Sequence, residues 1–301
     1  MNKLLELQIT LFALIAIGML LAKIGLISKE GRKNLTDLVL YLVLPCNIIG
    51  SFQNDSAAHN VTDCLLVFLV SCGIQLVMAI YGKIAYKNQP DARQRSLRYG
   101  LICSNAGFLG NPIAEGVFGA EGLVLANFYL LPQRIMIWSE GISIYAGEKD
   151  PKTAVKKVIT HPCVIACIIG LILMLTGVKL PGLMLTPINT IGRCNTALSM
   201  LVIGSILADI DPRSFVDSTV VRFSAERLVF LPLAVLLVCR LAGLNHIVTG
   251  ISVLLAAMPA GATTSMLAQK YDQDPKFATK LLIFSTLLSI PSVFIWSLIL
   301  N

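Results

Sequence analysis

Two stretches, LLVFLVSCGIQLVMAIY (residues 65–81) and LLIFSTLLSIPSVFIWSLIL (residues 281–300), contain no charged residue at all. A soluble helix of that length needs a polar face at helical spacing, whereas about 20 consecutive apolar residues suffice to cross the ~30 Å core of a bilayer. Only 14% of the 301 residues are charged and 55% are hydrophobic. An average soluble domain is about 25% charged. The chain is therefore predicted to be an all-α polytopic membrane protein.

The first apolar segment, Leu4 to Ala22, contains Glu6 and is followed by Lys23, Lys29, Arg32 and Lys33 rather than by a small-residue cleavage site. It reads as a retained span, not a signal peptide. Cutting at charged and turn-rich stretches gives ten spans, roughly 4–23, 34–53, 63–84, 96–118, 122–145, 161–177, 187–208, 217–240, 247–269 and 279–300. Loops after odd-numbered spans carry nearly all the Lys and Arg, while the other side has only Lys3, Lys179 and Arg240. By the positive-inside rule the odd loops are cytoplasmic and both termini outside, as for a plasma-membrane protein. The same distribution accounts for the net charge of +7 without nucleic acid. The eight cysteines form no CxxC pair and read as small apolar fillers, with no metal or disulfide role.

Ten spans place the chain's midpoint in the charged loop GEKDPKTAVKK (147–157). The expected organisation is a five-span repeat over residues 1–146, a cytoplasmic linker over 147–160, and a second repeat over 161–301. The halves enter the membrane from opposite sides and so are inverted. Punctuation recurs in the fourth span of each: SNAGFLGNP (104–112) in span four and AAMPAGATTSM (256–266) in span nine. Matched interruptions of this kind point to a secondary-transporter binding site.

Pro112 has no N–H for the Phe108 carbonyl, and Pro259 none for Leu255; Gly107, Gly110 and Gly261 ease the distortion. Backbone groups freed in this way must be buried in protein or face a wet cavity. Asn111 followed by Pro112 reads as the N-cap and first turn of a new half-helix, whose amide groups attract an anion. Arg134 in span five needs a partner or a pore: its fork suits a carboxylate, of a substrate or of Glu140, though one helix would not set Glu140, six positions on, beside it; a structural partner elsewhere is the alternative, and Gln133 is its polar neighbour. Thr263, Thr264 and Ser265 either contact substrate or repair the broken backbone. Asn195 is a candidate for a polar wall. Arg193, Glu226 and Arg227 are expected to form interhelix pairs or snorkel, with Glu226 the candidate proton-coupling acid. There is no GxSxG, HExxH or P-loop, and His59, His161 and His246 fall at span ends, so an enzyme, a metal site and a cofactor are not expected.

SNAGFLGNP, IGSILA (203–208), AAMPAGATTSMLAQKY (256–271) and STLLSIP (285–291) together make the whole chain resemble the auxin efflux carrier family, in its compact bacterial form. The resemblance implies ten spans in two inverted repeats with broken, crossing helices in spans four and nine. It further implies export or exchange of small organic anions, crossover prolines at Pro112 and Pro259, a substrate-contacting Asn105 and a homodimer. The expected function is a secondary carrier of carboxylates in the lipid bilayer. A transporter-like sensor signalling through a partner is the alternative.

Overall fold

The computed structural model describes residues 2–53, 61–146, 160, 162–208, 217–261 and 263–300. Apart from Thr160, the linker 147–160 lies outside these. Helices occupy every apolar stretch: α1 (Asn2–Lys23), α2 (Lys29–Phe52), α3 (Val61–Ala85), α4 (Asp91–Ile102), α5 (Ala106–Met136), α6 (Pro162–Thr176), α7 (Gly182–Leu207), α8 (residues 218–241), α9 (His246–Ala256), α10 (Thr263–Lys270) and α11 (Pro275–Ile299). Of these, α2, α3, α5, α7 and α11 are long and apolar enough to cross a membrane by length and composition. Within α5, Gly119 turns the chain at φ 66° and ψ −157°, a region open to glycine, between the stretches expected as spans four and five.

Three prolines are absorbed by a local widening of the helix. A π-helical turn precedes each: Val39–Val43 before Pro45, Ala106–Gly110 before Pro112, and Glu226–Phe230 before Pro232. In the first and third, the residue before the proline donates five positions back, Leu44 to Val39 and Leu231 to Glu226. In the second, the Asn105 carbonyl accepts from both Leu109 and Gly110. The hydrogen-bond register thus slips by one residue just where proline has no N–H to give.

The chain forms two compact units, each drawing on both halves of the sequence. The first comprises Met1–Val61, Asn111–Asn127 and Ile159–Asp211. In it α1 lies along α7 at backbone contact: a Cβ on Gly204 would overlap the Ile15 carbonyl, and one on Gly18 the Leu201 carbonyl. Gly170 likewise admits the Phe52 ring, and Gly192 admits the backbone of Asn47. Lipid gives apolar helices no hydrophobic reason to associate, so close packing through small residues replaces it. Gln53 ties α2 to the loop after α6, donating to Val178 O at 3.2 Å and accepting from Leu180 N at 2.7 Å.

The second unit comprises Thr62–Gly110, Phe128–Val158 and Pro212–Asn301. Leu97, Leu101, Phe223, Ala260, Phe277 and Leu281 form one core cluster in it; Tyr99, Ile102, Cys103, Tyr145 and Ala278 belong to another. Every residue of α9 from Val248 to Ala256 is buried. This helix is sheathed by protein rather than lipid, as its interrupted end requires.

Gly204→Val should cost at least about 3 kcal/mol by overpacking against fixed backbone. Gly73→Ala, with open space around its Cβ position, should be neutral. Thermal unfolding in detergent, alongside the yield of monodisperse protein, compares the two.

Candidate functional site

Helix α4 ends at Ile102, and Cys103 is extended at φ −104° and ψ 97°. Helix α9 ends at Ala256. The two interruptions then meet as a short antiparallel pair, Ser104 against Ala260. Asn105 N donates to Pro259 O at 2.8 Å, and Gly261 N donates to Cys103 O at 2.8 Å. Gly261 has to be small, because a Cβ there would lie 2.9 Å from Cys103 Sγ. Polar groups that would be orphaned in a membrane thus satisfy one another.

Side chains complete the pairing. Ser104 Oγ donates to Gln133 Oε1 at 2.8 Å, while Gln133 Nε2 donates to Ser104 O at 2.7 Å. Ala260 N donates to Ser285 Oγ at 3.2 Å. Arg227 is 1% exposed and donates from Nε to Met258 O at 3.0 Å and from Nη1 to Leu101 O at 2.7 Å. At the start of α10, Tyr99 OH donates to Thr263 Oγ1 at 2.9 Å, and Tyr145 OH donates to the Thr264 carbonyl at 3.2 Å. The Thr264 hydroxyl is buried and has no hydrogen-bond partner among the described residues.

Pro259 and Gly261 lie in this pairing. The crossing lies at Ser104, upstream of Gly107, Gly110 and Pro112, because the π-helical turn lets the chain pass Pro112 without a break. Asn111 is accordingly not an exposed N-cap. It is fully buried within α5, donating from Nδ2 to Asn127 Oδ1 at 3.3 Å, with its own Oδ1 unpartnered. Gly110 is needed for packing instead, since a Cβ there would meet Leu255 at 2.5 Å.

The second unit brings together Asn105, Gln133, Pro259, Gly261, Thr263 and Thr264. Asn105 is buried with its backbone in the pair, and Gln133 latches Ser104. Ser265 Oγ shares a hydrogen bond with Thr279 Oγ1 at 2.6 Å. Arg134 is buried on the same helix as Gln133. Glu140 is held by Lys83 at 3.1 Å and Arg98 at 3.5 Å. Asn111, Pro112 and Asn195 belong to the first unit, where Asn195 is fully buried and accepts from Ser199 Oγ at 3.3 Å.

Glu226 pairs with Arg222 at 2.7 Å and accepts from Tyr86 OH, whose ionisation is pushed up by burial and then by that carboxylate. Arg227, expected to form an interhelix pair or snorkel, has no ion-pair partner among the described residues and is 1% exposed. Its side chain turns inward to the crossing because two carbonyls there lack helical donors. Spacing along α8 gives no sign of this, since the partners come from α4 and from the end of α9. The first unit also contains a polar cavity of about 320 Å³ lined by Asn47, Ser51, Gln53, Glu115, Asn189 and Arg193.

A family described as membrane transport protein matches residues 4–157 and 151–297. The chain belongs to the membrane transport protein family. An uncharacterised transporter of Methanothermobacter thermautotrophicus is similar, 29% identical over 98% of both chains. Another, from Methanocaldococcus jannaschii, is 23% identical over 98% of both. The transporter YfdV of Escherichia coli K12 is 25% identical over 89% of this chain and 88% of its own. This membrane transport protein is thus a multi-pass membrane transporter, and the paired residues Ser104 and Ala260 of its second unit lie in the motifs SNAGFLGNP and AAMPAGATTSM.

Gln133→Leu removes both bonds to Ser104 and leaves its carbonyl buried and unpaired, so it should destabilise by about 2–4 kcal/mol, read as a lowered melting temperature in detergent. Pro112→Ala should leave the crossing intact and retain transport near the wild-type rate. A transport-dead, folded Pro112→Ala would restore Pro112 to the crossing.

Proposed function

We propose that the protein is a secondary transporter that effluxes or exchanges small organic anions, carboxylates foremost, across the plasma membrane by alternating access. In this reading its spans form two inverted five-helix repeats, ten crossings in all, with both termini outside. The observation that carries it is the paired interruption at Ser104 and Ala260, from which α10 starts with an unpartnered buried hydroxyl at Thr264. Interrupted helices that meet in this way are where secondary carriers hold their substrates, and the amide end of a half-helix favours a carboxylate. Asn105 and Thr264 are assigned to the bound anion, while Gln133 holds the Ser104 backbone beside it and Thr263 bonds the side chains of Tyr99 and Cys103. Arg134, buried on the same helix as Gln133, is assigned to a second carboxylate. The anion site is exposed to one side of the membrane and then to the other without leaving the second unit.

Counterflow of labelled C2–C5 mono- and dicarboxylates into proteoliposomes tests the reading. Wild-type protein should accumulate at least one of them, and Asn105→Ala and Thr264→Val should lower its kcat/KM at least about tenfold with folded yield retained. No accumulation of any carboxylate by correctly inserted protein would overturn it.

A further inference from the structure

Arg227 sits in the middle of α8 at 1% exposure, and among the described residues no carboxylate pairs with it. Among the described residues its guanidinium donates to backbone, Met258 O at 3.0 Å and Leu101 O at 2.7 Å. Those two carbonyls have a particular character. Leu101 is in the last turn of α4, and Met258 lies just beyond the end of α9, so each presents the negative end of an interrupted helix. Carbonyls at such ends are the groups with which secondary transporters coordinate a coupling cation. Here the position is filled by a guanidinium that belongs to the chain and does not lose its proton. Carbonyl dipoles soften the cost of burying it, but they carry no net charge and leave it positive.

We propose that Arg227 is a built-in counter-cation: its guanidinium holds the position between the Leu101 and Met258 carbonyls that a coupling metal ion would otherwise take. The proposal rests on the anion-carrier reading and deepens it. A carrier so equipped has its positive charge in place before the substrate arrives. Anion binding then needs no sodium, and the partly compensated charge of Arg227 favours the loaded crossing. Arg227 acts through the backbone of the crossing and through its field, which makes it a positioning residue.

The test is counterflow of the same labelled carboxylates by wild type, Arg227→Lys and Arg227→Gln, each in sodium, choline and low-millimolar guanidinium. Wild type should exchange at the same rate in sodium and choline. In choline, Arg227→Gln should raise KM at least about tenfold, and guanidinium or sodium should recover part of that loss; Arg227→Lys should stay within about tenfold of wild type and remain sodium-independent. A sodium requirement in wild type, an unchanged KM for Arg227→Gln in choline, or a loss in that variant that neither cation touches would overturn the proposal. If Arg227→Gln is not recovered folded, Arg227→Lys decides: sodium-independent exchange upholds the proposal and a sodium requirement overturns it. If wild type moves no carboxylate, the carrier reading fails on its own, and melting of Arg227→Gln becomes the readout. Stabilisation by guanidinium or sodium over choline, absent in wild type, then supports a resident cation, and equal melting in all three salts overturns it.

Discussion

Backbone amides and carbonyls released from a helix inside a bilayer have no water to turn to, and the second unit is organised around that constraint. Two interruptions answer it by pairing with each other. Asn105 and Gly261 donate across to Pro259 and Cys103, and the groups still unsatisfied are taken up by Gln133, Ser285 and Arg227. The burial of α9 from Val248 to Ala256 follows from the same need, because a half-helix facing lipid would expose its open end. So does the requirement for glycine at position 261, where two backbones approach too closely for a side chain.

Pro132, Pro187 and Pro291 lie inside α-helix with no π-helical turn before them, and two other outcomes of proline in this fold are easily confused. At Pro45, Pro112 and Pro232 the helix widens by one residue and continues. At Pro259 it stops, and the chain runs extended before resuming at α10. The missing N–H is common to all four; what differs is whether a second interruption lies opposite to accept the freed groups. Pro259 has Asn105 across from it. Pro112 has none and is absorbed locally. In the first unit, small residues rather than interruptions carry the organisation, with Gly18 and Gly204 letting α1 and α7 meet at backbone distance.

The transporter assignment and the crossing support one another. The match to membrane transport proteins covers nearly the whole chain, and the motifs SNAGFLGNP and AAMPAGATTSM fall where the two interruptions pair. Arg227 joins this region although it shares no motif with it. A buried arginine bound to carbonyls rather than to a carboxylate turns a structural repair into an electrostatic feature of the site.

Much of the fold was legible in the amino-acid order. Uncharged runs such as residues 65–81 can only be helices sheathed by lipid or protein, and glycine and proline clusters mark where those helices fail. That is local information, because helix formation and helix failure depend on residues within a few positions of each other. Which failure becomes a crossing is not local. SNAGFLGNP contains both a break at Ser104 and a widened turn before Pro112, and only the pairing with Ala260 selects the former. Likewise Arg227 follows Glu226 directly in sequence, yet one turns to Arg222 and Tyr86 while the other turns to the crossing. The sequence determined the helices and the points at which they weaken; tertiary structure alone decided which weak points meet, because an unsatisfied backbone group takes its partner from whatever packs against it.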